Sequence, residues 1–129
     1  MGYNRGCRGD IVGLSVKFYI RKNTMFIRLI GEMDQENVGN LRDKLIEIIK
    51  EKNIVNIVFN MKELTFMDST GIGIIIGRYN QLKFRQGKVI LCSINKTLER
   101  IILLSGLPRI CIIKENEESA QMYMEENCG

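Results

Sequence analysis

Residues 54–73 read Ile54-Val55-Asn56-Ile57-Val58-Phe59-Asn60-Met61-Lys62-Glu63-Leu64-Thr65-Phe66-Met67-Asp68-Ser69-Thr70-Gly71-Ile72-Gly73. The first six are almost continuously apolar, which predicts a strand covered on both faces, as in a sheet flanked by helices. Asn60–Phe66 reads as a loop. From Thr70 to about Phe84, apolar residues at helical spacing predict a helix. A buried strand leading into a helix is half of a β-α-β unit, and this places the chain in the α/β class.

Working outward, Ser15–Ile20 and Thr24–Ile30 are β-rich runs around the short turn Arg21-Lys22-Asn23, which predicts a hairpin. A helix from Gln35 to Lys52 follows, with Val38, Leu41, Leu45, Ile48 and Ile49 on one face and Asp34 as its N-cap. Beyond the central stretch, Val89–Cys92 is the next strand. A third helix, capped by Asn95 or Ser93, stops at Gly106-Leu107-Pro108, where Gly just past a helix and Pro soon after form a stop signal. Ile110–Ile113 reads as a short edge strand and Ser119–Glu126 as a last helix. The order is β-β-α-β-α-β-α-β-α. It predicts one mixed, mostly parallel sheet with an N-terminal antiparallel hairpin and about four flanking helices. One domain is expected over residues 14–129, with residues 1–13 a flexible tail.

Ser69 stands where the buried strand gives way to the helix and is the expected N-cap, beside unpaired backbone N–H groups and the positive end of the helix dipole. Capping alone accounts for a Ser there. The functional reading is that Ser69 accepts a phosphate, which those N–H donors and the dipole would favour. Gly73 and Gly77 fall on one helix face and suggest a close backbone approach. Ile72, Ile75, Ile76 and Tyr79 supply the buried face, which leaves Ile74 and Arg78 toward the free side as contacts for a partner.

Composition removes many alternatives. The 129 residues include no His and no Trp. Without His, neither a Ser-His-Asp nor a Cys-His nucleophile can form. Cys7, Cys92, Cys111 and Cys128 lack paired metal-ligand spacing, so no metal is expected. Cys92 and Cys111 lie in apolar runs and read as small core residues in a reduced, cytoplasmic protein. Gly71-x-Gly73-x-x-x-Gly77 is a loose dinucleotide-like pattern, but the next strand ends Leu91-Cys92-Ser93 with no acid for a ribose. There is no P-loop lysine, no C-x₅-R phosphatase loop and no hydrolase elbow. No cofactor is expected.

The net charge is +4. Arg5, Arg8, Lys17, Arg21 and Lys22 against Asp10 give residues 1–23 that whole excess, and 14 basic and 14 acidic residues cancel over 24–129. A nucleic-acid face would need cations clustered across the fold. No run approaches the ~20 apolar residues of a membrane span, and no signal peptide is evident. Neither nucleic acid nor membrane is therefore an expected partner.

Phe66-Met67-Asp68-Ser69-Thr70-Gly71-Ile72-Gly73 resembles the phosphoacceptor loop of the STAS family (sulfate transporter and anti-sigma factor antagonist). Gly31-Glu32-Met33-Asp34 is similar to the family's G-E-[LM]-D turn, and Ser105-Gly106-Leu107 to its third-helix ending. Ile75-Ile76-Gly77-Arg78-Tyr79 resembles the sporulation branch, the anti-sigma-F factor antagonists. The resemblance runs from about Leu14 to Met124. It implies a protein that binds an anti-sigma factor that is also a serine kinase, releases a sigma factor, and is switched off by phosphorylation of Ser69 and restored by a serine phosphatase. Thr70 stands where many relatives carry a second Ser, which singles out Ser69. Expected partner contacts are Glu32 and Asp34 beside the loop, Asp68, Thr70 and Gly71 within it, and Ile74 and Arg78 on the helix. The protein would be a substrate and switch rather than an enzyme. An antagonist in general-stress sigma control and a small nucleotide-binding protein are the alternative readings.

Overall fold

The computed structural model describes residues 13–127. Strands β1 (Leu14–Arg21) and β2 (Thr24–Met33) form the expected hairpin around Lys22-Asn23, with Lys22 at φ 58°. Next come α1 (Leu41–Glu51), β3 (Asn56–Met67), α2 (Ser69–Leu82), β4 (Val89–Cys92), α3 (Lys96–Ser105), β5 (Ile112–Lys114) and α4 (Glu117–Asn127). The sheet order is β1-β2-β3-β4-β5, antiparallel between β1 and β2 and parallel elsewhere. The predicted mixed sheet and element order are therefore present. The tail expected over residues 1–13 lies outside the described residues except for Gly13, whose carbonyl accepts the Glu32 N–H at 3.0 Å.

Strand alternation divides the core between two faces. Met25, Ile27 and Leu29 of β2, with Ile57 and Phe59 of β3 and Val89 and Leu91 of β4, pack with the buried sides of α1, α2 and α3. Phe26, Val58, Ile90 and Cys92 point the other way and are covered by Ala120 and Met124 of α4. Both sets are buried, which explains why residues 54–59 lack polar alternation. Cys92 and Cys111 are buried free thiols, as expected. The last helix is tethered by Glu117. Its carboxylate accepts two bonds from Arg28, at 2.8 and 2.9 Å, and one from Asn60 at 2.9 Å. Among the described residues, no helix is long and apolar enough to cross a membrane.

Three boundaries differ from expectation for physical reasons. Strand β3 continues through the expected loop 60–66 to Met67 and pairs with the second half of β2. Register shifts between Arg28 and Ile30 and between Gly31 and Glu32 break the alternation. Met61, Leu64 and Met67 are consequently buried at a spacing of three, a pattern that resembles no strand. Helix α1 starts at Leu41 rather than Gln35. Asp34 is not its cap. The Asp34 Oδ1 accepts from Asn37 N and Nδ2 at 3.0 and 2.8 Å, closing a local turn. Gly39 at φ 54° then separates that turn from the helix, whose N-cap Asn40 makes no side-chain capping bond. Strand β5 starts at Ile112 because residues 107–109 form a 3₁₀ turn after the expected helix stop at Gly106, φ 86°.

Candidate functional site

The C-terminal ends of β2 and β3 meet the start of α2 at Asp68. Its backbone N–H donates to Met33 O at 3.3 Å, and its carbonyl accepts from Ile72 N at 3.2 Å. Its Oδ1 accepts from Thr70 N at 2.9 Å and its Oδ2 from Gln35 N at 3.4 Å. One residue thus closes the first helical turn and ties it to the turn that follows β2.

Asp68, not Ser69, is therefore the N-cap. A carboxylate at this position gains both the capping hydrogen bond and the attraction of the helix dipole. Ser69 becomes the first helical residue and is exposed. Among the described residues its hydroxyl has no hydrogen-bond partner. Ser69 is thus relieved of capping, and its place in the chain is held by its neighbour Asp68. The expected N–H donors for a phosphate are partly used, since Thr70 N already serves Asp68.

Gly71 explains how close this junction is. A Cβ there would lie 2.8 Å from Met67 Cγ, 2.9 Å from Met33 O and 3.0 Å from Met33 Cγ. Glu32 is exposed and pairs in register with Phe66, itself 48% exposed. Asp34 is half-buried in the adjoining turn. The structure thus gathers Glu32, Asp34, Asp68, Ser69, Thr70 and Gly71 at one end of the sheet.

It does not place Ile74 and Arg78 on the free surface. They are 3% and 4% exposed and belong to the buried stripe of α2 with Gly71, Ile75 and Leu82. These residues recur at three- and four-residue spacing and form one inward face of the helix. Gly73 and Gly77 also differ from expectation. Among the described residues, no atom outside the helix's own backbone lies within 4 Å of a Cβ built at either, so neither accommodates a neighbouring backbone there. Both stand inside α2, as their spacing predicted.

Two contributors are not legible in the linear sequence. Phe66 is an exposed aromatic next to the junction because the β3 bulges turn it outward. Asn95 was expected only as a cap. Its Oδ1 does accept from Leu98 N at 3.2 Å. Its Nδ2 also faces the carbonyls of Met61, Lys62 and Leu64 at 3.1, 3.3 and 2.7 Å. This amide fastens the irregular end of β3 that leads to Ser69.

The family model for the STAS domain matches residues 15–120. The chain belongs to the STAS domain family. Within that family it is 32% identical over 114 residues to an anti-sigma F factor antagonist of Paenibacillus polymyxa, covering 88% of this chain and 97% of the relative. It is 26% identical to an anti-sigma-B factor antagonist of Bacillus subtilis, over 83% of this chain and 96% of the relative. Among solved structures, the unphosphorylated form of the anti-sigma factor antagonist SpoIIAA superposes with a TM-score of 0.77 at 29% identity, covering 86% of this chain and 96% of that one. The phosphorylated form of the Bacillus cell fate determinant SpoIIAA gives 0.67, also at 29% identity, over 84% and 98%. The five-stranded mixed sheet and four helices described above are the STAS fold of these structures.

Proposed function

We propose that this STAS protein is a phosphorylation-switched anti-sigma factor antagonist and not itself an enzyme. The observation that carries the reading is the exposed, unpartnered Ser69 hydroxyl at the first position of α2, held there by Asp68. In this reading the unphosphorylated protein binds, in the cytoplasm, an anti-sigma factor that is also a serine kinase, and a sporulation sigma factor is released. Transfer of a phosphate to Ser69 ends the interaction, and a serine phosphatase restores it. Relatives named as anti-sigma F factor antagonists support the assignment, as does a similar protein solved in a phosphorylated form.

The geometry suggests how a phosphate acts. It adds about −1.5 to −2 charges at pH 7. Asp68 already occupies the Thr70 amide, and Glu32 and Asp34 stand close by along the chain turn. The added charge therefore faces outward, where it opposes a partner by repulsion, desolvation and bulk. Helix α2 keeps its cap and its packing. Contacts with the partner involve Glu32, Asp34, Asp68, Thr70 and the exposed Phe66.

The test is binding to the cognate anti-sigma kinase in the presence of ADP. Wild type and Ser69→Ala bind, Ser69→Asp binds at least about tenfold more weakly, and ATP labels wild type on Ser69 alone. Equal affinity of the Ala and Asp variants overturns the charge switch. The similarity to anti-sigma-B factor antagonists favours a second reading, in general-stress control. Pairing the protein with each class of anti-sigma factor separates the two. Tight stoichiometric binding of ATP or GTP by the protein alone would point instead to a nucleotide-binding protein.

A further inference from the structure

Strand β1 is antiparallel to β2 and begins at the end of the sheet where β2 and β3 finish. The chain before β1 therefore arrives at the Ser69 end. Gly13 fixes the arrival. Its carbonyl accepts the Glu32 N–H at 3.0 Å. A Cβ on Gly13 would run into the side-chain amide of Asn37, and one on Gly31 into the Gly13 carbonyl. Both glycines hold positive φ, 84° and 108°, a region that glycine adopts without steric cost. The segment that precedes Gly13 is thus delivered against the turn that Asp34 and Asn37 close.

That end of the sheet is acidic. Residues 29–41 and 64–77 contain Glu32, Asp34, Glu36 and Asp68 and no Lys or Arg. Glu32 and Glu36 are exposed, and Asp34 and Asp68 are half-buried. None of the four is ion-paired with another described residue. The one Lys of β3, Lys62, lines a cleft with Lys17 and Arg28 farther down the sheet. Residues 1–12 carry Arg5 and Arg8 against Asp10 alone, so their charge is opposite to that of the rim they approach.

The reach is sufficient. An extended chain spans up to about 3.5 Å per residue, so the five residues from Gly13 to Arg8 cover about 17 Å and the eight to Arg5 about 27 Å. Glu32 and Phe66 are in-register neighbours, which puts Phe66 two strand spacings, about 10 Å, from Gly13. Single ion pairs at a surface are weak. A short tether, however, raises the effective concentration into the mM range, so weak contacts suffice to populate a docked form.

We propose that residues 1–12 dock through Arg5 and Arg8 on the acidic rim formed by Glu32, Asp34, Glu36 and Asp68. The docked segment covers the approach to Ser69 and to the exposed Phe66, and a protein that takes this surface has to displace it. The contact needs only the charges at this end of the sheet, so it stands or falls independently of the antagonist reading.

The test uses the full chain with a nitroxide on Cys7 in a Cys128→Ser background, since Cys92 and Cys111 are buried. Amide resonances are compared before and after the nitroxide is reduced with ascorbate. Paramagnetic broadening is expected at Glu32, Gln35, Asp68 and Ser69. It is lost in Arg5→Glu/Arg8→Glu, lost in Glu32→Lys/Glu36→Lys, and restored when all four changes are combined. The substituted side chains of the rim are exposed, so the fold is kept. Broadening that either paired substitution leaves unchanged overturns the docking and leaves the basic segment for a separate acidic partner. A loss that the combined chain does not restore, or broadening centred away from the rim, overturns it as well.

Discussion

The α-carbon of Gly71 comes so close to Met33 that a methyl group on it would lie 2.9 Å from the Met33 carbonyl oxygen. This contact sets the distance between the end of β2 and the start of α2, and with it the position of Ser69. The same two segments are joined by the Asp68 N–H to Met33 O bond and the Gln35 N–H to Asp68 carboxylate bond. Ser69 is thus positioned by its neighbours, not by bonds of its own.

Gly71→Ala should destabilise the protein by about 1–3 kcal/mol, the usual cost of forcing an extra carbon into packed surroundings. Gly73→Ala should do the opposite. Its site is open and mid-helical, so the substitution should stabilise by up to about 1 kcal/mol. Urea unfolding of the two variants beside wild type checks both signs. Gly71→Ala as stable as wild type would contradict the close approach.

Asn95→Ala removes a helix cap and leaves the carbonyls of Met61, Lys62 and Leu64 without their shared donor. A cap alone is worth about 1 kcal/mol, and the released carbonyls should raise the loss to about 2 kcal/mol. Amide exchange should quicken over residues 61–68 more than in β4. Uniform exchange across the sheet would mean that Asn95 acts only as a cap.

Glu117→Gln should cost about 1–2 kcal/mol at neutral pH, because the carboxylate anchors α4 through Arg28 and Asn60. The Arg28 hydrogen bond, aided by Asn60 and Tyr19, holds the Glu117 carboxyl below its ordinary range despite partial burial. Its folded pKa is depressed, so its contribution is present above the unfolded value near 4.5 and is lost as pH falls through the folded one. The gap between wild type and Glu117→Gln should accordingly narrow below about pH 4.5. A gap independent of pH would assign the effect to packing.

Burial pushes the thiols of Cys92 and Cys111 up from 9.0 to about 11 and about 12. A raised folded pKa means that stability is complete below the unfolded value and falls as pH rises through the folded one. Wild type should therefore lose stability between about pH 9 and pH 12, and Cys111→Ala should lose it less steeply. Equal slopes for the two proteins across that range would place the ionisation elsewhere.

The fold class and element order were legible in the sequence because each regular element carries its own period. The apolar run at 54–59, the helical spacing of α1 and α3, and the stop at Gly106 are local signals. So was the strand-to-helix junction around Asp68-Ser69-Thr70-Gly71, since a strand leading into a helix start depends on no distant contact for its reading. The extension of β3 was hidden because its alternation is broken by bulges that exist only when β2 is alongside. The start of α1 was hidden because Asn37 completes a turn on Asp34 that competes with helix.

The sequence by itself determined an α/β protein with a strand-to-helix junction at Ser69. Only the tertiary structure decided which residue caps that junction, which glycine is indispensable and which side of α2 is buried. Asp68 takes the cap through the local Thr70 N–H, and the Gln35 N–H adds a second donor that reaches it only when β2 and β3 lie side by side. Ile74 and Arg78 are hidden because the inward side of α2 runs through Gly71, Ile74, Ile75, Arg78 and Leu82, whereas apolar residues all round the helix leave that side undecided in the sequence. Periodicity records how a helix is amphipathic, whereas burial depends on how many neighbours it meets.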